Sequence, residues 1–345
     1  MALRIGIGLF TGQIPAGSSR TFAQEYRETL ELVRLAESVG FDSAWVSEHH
    51  GSSDGYLPSL LPMLAAFAAV TERIELGTGI VLTPLHDPLR LAEDAAVVDQ
   101  LSDGRLILGL GLGWREEEFR MFGASMRDRA RRTMDTIEVL RRAWSGRRFS
   151  FEGRTMRFDR VRVTPAPARP GGPRIFLGGY DDRGVRRAGR MADGYITDAT
   201  ESDDLLHALT VLDEGARSAG RDPRTLAIAL TQNAFPWRDG NHWDVLREGL
   251  TQQLGAYTAW DEGHDTPEHD ALVPTPPEED DARRLTFAGT PEEVVAALGP
   301  MVTRHGDRDE LHLVVRLHYP GMDLATAARA TELFANEVAP VLRAL

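Results

Sequence analysis

The chain has 345 residues, of which 42% are hydrophobic and 26% are charged, a composition typical of a globular protein with a large core. Its net charge of −13 argues against a nucleic-acid partner, because binding phosphates needs a basic surface. The sequence contains no cysteine and no lysine, which excludes disulfides, thiolate chemistry and Schiff-base chemistry. It has neither an apolar run of membrane-spanning length nor a signal-peptide pattern, so we expect no membrane association and a cytoplasmic location.

Strands and helices are predicted to alternate along the chain. In order, the patterns predict strand Leu3–Phe10, helix Arg20–Ser38, strand Asp42–Ser47, helix Leu57–Val70, strand Ile74–Leu82, helix Leu89–Leu101, strand Arg105–Leu112, helix Arg131–Trp144, strand Arg174–Leu177, helix Arg183–Met191, strand Gly194–Asp198, helix Asp203–Ala219, strand Thr225–Thr231, a helix from Pro291, strand Glu310–Leu317 and helix Leu324–Leu342. The strands are apolar on both faces, as in parallel sheets. We therefore predict an α/β fold, a (β/α)8 TIM barrel formed as a single domain over residues 1–345.

Two stretches interrupt the alternation, one after the fourth predicted helix and one after the seventh predicted strand. Residues 145–173 combine aromatic residues with a proline- and glycine-rich end, which predicts a small hairpin and an extended return. Residues 235–288 are longer than a usual barrel loop. Within them, residues 259–284 hold nine acidic residues, two arginines and four prolines, which predicts a segment that buries little. This acidic, proline-rich insertion is either a lid over an active site or a solvated surface segment.

The residues Glu48-His49-His50 directly follow the second predicted strand. Titratable side chains at the carboxyl end of a barrel strand are in the position where this fold carries catalysis. The same pair of histidines could instead be structural. A metal site would need more ligands than the sequence places nearby, so we predict none.

Glycines interrupt or end three predicted strands, in Gly77-Thr78-Gly79-Ile80, Gly109-Leu110-Gly111-Leu112-Gly113-Trp114 and Gly178-Gly179-Tyr180. Glycine within a strand often marks a bulge or the close approach of a ligand. The second motif lacks the context of a dinucleotide-binding fingerprint. The third opens onto a predicted helix, where backbone N–H groups can bind an anion. Packing against a neighbouring strand is the alternative explanation for these glycines.

Taken together, these motifs resemble the bacterial luciferase-like flavin-dependent oxidoreductases. The similarity extends over essentially the whole chain and is strongest in Arg73–Gly123. Further matching motifs are Glu48-His49-His50, Gly178-Gly179, Ala192-Asp193-Gly194 and Tyr319-Pro320-Gly321-Met322.

The resemblance implies a set of site residues. His49 would be the catalytic histidine beside the isoalloxazine ring, and Gly79–Ile80 would form a non-prolyl cis peptide against that ring. Arg131 would reach the flavin phosphate, with Arg129 and Arg132 as the neighbouring alternatives. The remaining residues that would bind the cofactor are Gly111, Leu112, Trp114, Gly178, Gly179 and Tyr180.

The resemblance also implies a function, that of a two-component monooxygenase. Reduced FMN (FMNH2) would come from a separate flavin reductase, and its C4a-(hydro)peroxyflavin, formed with O2, would oxygenate a small organic substrate. His49 would act as acid or base, and Trp114, Phe10 and Trp237 would form an apolar substrate wall. One alternative is hydride transfer with the 8-hydroxy-5-deazaflavin coenzyme (coenzyme F-420), without oxygen. Another is a non-catalytic flavin-binding support subunit. A homodimer is also compatible with the resemblance.

Overall fold

The computed structural model describes residues 2–263, 272–276, 278–304 and 308–345. Its strands are β1 (Ala2–Phe10), β2 (Ser43–Val46), β3 (Glu75–Thr78), β4 (Val81–Leu82), β5 (Leu106–Gly111), β6 (Phe149–Glu152), β7 (Arg157–Val161), β8 (Arg174–Gly178), β9 (Gly194–Thr197), β10 (Ala227–Pro236), β11 (Thr286–Gly289) and β12 (Glu310–Arg316).

Eight parallel strands of the described residues close into a barrel in the order β1, β2, β3, β5, β8, β9, β10 and β12, and β12 pairs with β1. Strand β4 continues the course of β3 and pairs with β5, while β11 extends the sheet beside β10. The predicted (β/α)8 barrel is therefore confirmed. The predicted strands all lie in it, although β10 continues five residues beyond the predicted end at Thr231.

Helices surround the barrel. They are α1 (Phe22–Val39), α2 (Leu60–Val70), α3 (Pro88–Leu101), α4 (Glu116–Met121), α5 (Arg129–Ala143), α6 (Asp182–Met191), α7 (Ser202–Ser218), α8 (His242–Asp261), α9 (Glu279–Arg284), α10 (Pro291–Thr303), α11 (Leu324–Leu333) and α12 (Ala339–Ala344). No helix in the described ranges has both the length and the apolar character needed to cross a lipid bilayer.

Large side chains fill the barrel interior. Trp45 and Phe176 are fully buried there, with ring centroids 6.2 Å apart. At the N-terminal end of the strands, the guanidinium group of Arg174 bridges two carboxylates, at 2.9 Å from Glu75 and 2.5 Å from Glu310. Side chains therefore occupy the barrel from its centre to its N-terminal end, as in other barrels of this type.

The stretch after α5 agrees with its prediction. Strands β6 and β7 form a small antiparallel hairpin, and the chain then returns to β8.

Residues 235–288, the predicted insertion after the seventh barrel strand, contain more regular structure than the sequence analysis predicted. The 20-residue helix α8 lies here, followed by α9 and β11. One face of α8 is buried, and Leu246, Leu250 and Trp260 lie on it at helical spacing. Residues 264–271 and 277 lie outside the described residues, so the lid stays a prediction.

Candidate active site

A cavity of about 550 Å³ lies at the C-terminal ends of the barrel strands. Its volume is typical of a site for a cofactor or a small molecule. Of the residues proposed for catalysis and cofactor binding, the structure brings all but one together at this cavity, namely His49, Gly79, Ile80, Gly111, Leu112, Trp114, Gly178, Gly179 and Tyr180.

The exception is Arg131, which does not line the cavity. Its side chain is 56% exposed and pairs with Asp128 at 3.6 Å. Arg129, two residues earlier on α5, lines the cavity instead. Residues two apart on a helix point in different directions, so a match shifted by two residues places Arg129 rather than Arg131 at the cavity. Arg132 is also engaged elsewhere, because it donates hydrogen bonds to the backbone oxygens of Pro84 and His86.

His49 follows strand β2 and is held by a buried carboxylate. Its Nδ1 is 2.9 Å from Oε1 of Glu118, which lies on α4 and is fully buried. Nε2 of His49 has no hydrogen-bond partner among the described residues, and the side chain lines the cavity. The contact with Glu118 therefore fixes the orientation of the imidazole ring and leaves Nε2 for a bound molecule.

Glu118 also organises the neighbouring backbone. The same Oε1 atom accepts a hydrogen bond from the backbone N–H of His50 at 2.9 Å, and Nη1 of Arg115 lies 3.4 Å away. Arg115 in turn donates to the carbonyl of His50 at 2.9 Å and stacks over the ring of Trp260. The sequence analysis did not propose Glu118 as a site residue. Its position four residues after the strand-ending Gly-Leu-Gly-Trp motif offered no period or spacing that singles it out.

Glu48 lies between two histidines. Its Oε1 is 2.7 Å from Nε2 of His50 and 2.7 Å from Nε2 of His86, and its Oε2 accepts the backbone N–H of Leu82 at 2.8 Å. Burial alone would raise the pKa of Glu48, but the hydrogen bonds and charges of the two histidines lower it to about 2. Hydrogen bonds therefore account for this cluster, and they tie His50 to a structural role.

Aromatic side chains surround His49. Ring centroids lie 4.7 Å away for Trp260, 4.8 Å for Tyr56, 5.4 Å for Tyr257 and 6.3 Å for Trp114. Helix α8 contributes Tyr257 and Trp260, which the sequence analysis missed because it did not predict this helix. The spacing from Leu246 to Trp260 would have been the signal for it.

The two other residues proposed for an apolar substrate wall lie elsewhere. Phe10 packs edge-on against Phe67 in the core, and Trp237 stacks on Phe235. Neither lines the cavity. Trp114 is the member of this trio that does.

The remaining wall consists of glycine-rich strand ends. The peptide bond between Gly79 and Ile80 is cis, as the resemblance implies, and so is the one between Gly8 and Leu9. At Gly179, an added Cβ would come within 3.2 Å of Cα of Gly184, so the loop after β8 packs closely against the first turn of α6. Arg129 supplies a cation from the start of α5. A groove with bare backbone, a helix N-terminus and an arginine fits a flat cofactor that carries a phosphate.

Comparisons with known proteins agree with this arrangement. The family model for luciferase-like monooxygenases matches residues 3–308. The F420-dependent glucose-6-phosphate dehydrogenase of Nakamurella multipartita is 30% identical over 92% of this chain and 93% of its own. The enzyme of the same name from Nocardia farcinica is 31% identical over 92% of this chain and 95% of its own. The crystal structure of monooxygenase RslO1 from Streptomyces bottropensis superposes with a TM-score of 0.80 at 27% identity, covering 98% of this chain and 99% of that one.

These relatives are all oxidoreductases, and they are similar to this chain over nearly its full length. The chain belongs to the luciferase-like monooxygenase family of oxidoreductases.

Proposed function

We propose that this protein is an oxidoreductase that uses the 8-hydroxy-5-deazaflavin coenzyme to transfer a hydride to or from a small organic substrate. The observation that carries the proposal is the similarity, over more than nine-tenths of each chain, to F420-dependent glucose-6-phosphate dehydrogenases. This similarity favours the deazaflavin coenzyme over reduced FMN, the cofactor first expected from the sequence.

The strand ends on one side of the cavity would hold the coenzyme. Gly111 and Ile80 would face the ring system, and the loop Gly178-Gly179-Tyr180 would take the phosphate together with Arg129. Because the chain has no lysine, arginine is the residue that supplies a permanent positive charge to an anionic coenzyme.

The coenzyme, when bound, supplies hydride transfer without a reaction with oxygen. The chain's own residues would manage the proton and the solvent. Nε2 of His49 would take the proton of a substrate hydroxyl as the hydride leaves the adjacent carbon, and would return it in the reverse direction. Glu118 would stabilise the imidazolium that forms, and the surrounding aromatic rings would exclude water.

A pair of titrations tests the proposal. We expect the purified protein to bind the deazaflavin coenzyme more tightly than reduced FMN under anaerobic conditions, as measured by the change in cofactor fluorescence or absorbance. After reduced FMN is added and air admitted, we expect no long-lived oxygenated flavin absorbance. Tighter binding of reduced FMN together with such an absorbance would contradict the proposal.

A two-component FMN monooxygenase is the second candidate, and the similarity to monooxygenase RslO1 favours it. That activity would need O2 and a separate flavin reductase. If the protein binds flavin but catalyses no reaction with either cofactor, the third hypothesis, a flavin-binding support subunit without catalysis, is favoured instead. The homodimer stays a prediction, which sedimentation of the purified protein would test.

The phosphate position gives a further prediction. We expect Gly179→Val to weaken binding of the intact coenzyme much more than binding of its dephosphorylated ribityl fragment, because a side chain at residue 179 would push the loop away from Gly184. Fluorescence titration of both ligands measures this difference. Gly178→Ala is the matched control, since a Cβ there meets its nearest neighbours at an ordinary 3.5 Å. Equal weakening of both ligands by Gly179→Val would place the phosphate elsewhere.

A further inference from the structure

Arg316 is a buried cation on the wall of the cavity. It is the last residue of β12, it is 6% exposed, and it lines the cavity. Within the described ranges, no residue forms an ion pair or a hydrogen bond with its guanidinium group. Removing an arginine from water without a partner is unfavourable, and arginines buried in proteins are normally paired.

The buried carboxylate of Asp54, whose charge acts on Tyr56 together with that of Arg316, already has its hydrogen bonds satisfied. Asp54 accepts hydrogen bonds from the side-chain amides of Gln13 and Gln252 at 2.7 and 2.8 Å. It also accepts bonds from the hydroxyl of Ser52 at 2.6 Å and from the backbone N–H of Tyr56 at 3.2 Å. Four neutral donors therefore satisfy this carboxylate, and Arg316 is left facing the cavity.

Arg316 lies across the barrel from the proposed coenzyme site. In the closed order of eight strands, β12 is four strands from β5, which ends at Gly111, and three from β8, which ends at Gly178. The charge of Arg316 instead acts on the aromatic cluster near His49. Burial raises the pKa of Tyr56, and the positive charge of Arg316 offsets part of that rise. The hydroxyl of Tyr56 lies 3.0 Å from that of Tyr257.

We propose that Arg316 binds a carboxylate of the substrate, and that the substrate is an organic monoanion whose apolar or aromatic body lies against Tyr257 and Trp114. A guanidinium group pairs with a carboxylate through two parallel hydrogen bonds. The aromatic residues around His49 provide a surface for the rest of the molecule. The identification of the anion as the substrate rests on the proposed function. The existence of an anion-binding subsite at Arg316 does not depend on it.

The local charge favours a carboxylate over a phosphate monoester. A single arginine balances one negative charge, and a phosphate monoester carries nearly two at neutral pH. The cavity wall also carries Glu48 and Asp198, which would repel a second negative charge. We therefore expect selectivity for carboxylates over sugar phosphates.

Calorimetric titrations of the full-length protein test the subsite, with and without saturating deazaflavin coenzyme. The probes are 2-naphthoate, its neutral counterpart 2-naphthamide, and glucose 6-phosphate. We expect wild type to bind 2-naphthoate most tightly of the three. Arg316→Gln should weaken 2-naphthoate by about 10- to 100-fold, the usual effect of losing hydrogen bonds between charged groups, and leave 2-naphthamide unchanged. Arg131→Gln, at an exposed arginine, should change neither.

Three results would overturn the proposal. They are equal weakening of the acid and the amide by Arg316→Gln, tighter binding of glucose 6-phosphate than of 2-naphthoate by wild type, and loss of coenzyme binding in Arg316→Gln, which would assign Arg316 to the coenzyme. Carboxylate binding that depends on Arg316 in a protein that binds no coenzyme would support the subsite and count against the proposed function alone.

Thermal unfolding checks that the variants fold. If Arg316→Gln does not fold, Arg316→Lys is titrated with the acid and the amide instead. It should weaken binding of 2-naphthoate but not of 2-naphthamide, because lysine cannot form the two parallel hydrogen bonds of a guanidinium group.

Discussion

His49→Asn is expected to lower turnover by about 10²- to 10⁴-fold, the usual contribution of a positioned acid or base, and to leave coenzyme affinity intact. The amide nitrogen of asparagine can take the place of Nδ1 and keep the hydrogen bond to Glu118. The nitrogen that faces the cavity is lost. Steady-state kinetics and coenzyme titration of the same preparation separate the two effects.

His50→Gln is the matched control for this experiment. Glutamine keeps a donor near the position of Nε2, which lies 2.7 Å from Glu48. We expect it to retain most of the turnover, because the side chain of His50 is tied to Glu48. If His49→Asn turns over like wild type, the catalytic assignment is wrong and both histidines are structural.

Glu118→Leu is expected to lower the free energy of unfolding by about 3–5 kcal/mol, the usual effect of removing one partner from a buried ion pair. The substitution takes away the carboxylate that faces His49, the backbone N–H of His50 and Arg115. Urea denaturation measures the loss. We also expect Glu118→Gln to fold and to lower turnover, because an amide retains the shape of the carboxylate but not the negative charge that the proposed mechanism requires beside His49.

The exposed Glu116, on the same short helix, provides the control. Glu116→Leu should change the free energy of unfolding by no more than about 0.5 kcal/mol, as is usual for surface substitutions. A Glu118→Leu protein that unfolds at the same urea concentration as wild type would show that the buried carboxylate does not stabilise the fold.

Local patterns were sufficient to predict the barrel. Short apolar strands that alternate with helices leave few arrangements, and each barrel strand came from such a run. Helix α8 was missed for a physical reason. Its buried face includes glycine at residue 249 and glutamine at residues 252 and 253, which weaken the apolar signal, and an acidic, proline-rich stretch follows it.

The lining of the cavity was predictable where titratable or glycine residues directly follow a strand, as at His49 and Gly178-Gly179. It was not predictable where a contact joins distant parts of the chain. Glu118 contacts His49, which lies 69 residues earlier in the chain. The sequence does not distinguish Glu118 from its neighbours Glu116 and Glu117, which are also glutamates. Which arginine of helix α5 faces the cavity could not be predicted from the sequence either. Arg129 lines the cavity, whereas Arg131, two residues later, lies on the surface.

The side chains that fill the barrel from Trp45 down to the Arg174 ion pairs close one end of the cavity, so every molecule enters and leaves by the other. The coenzyme and the substrate would therefore share the opening at the C-terminal ends of the strands. Initial-velocity and product-inhibition kinetics would show whether they add in a fixed order or at random.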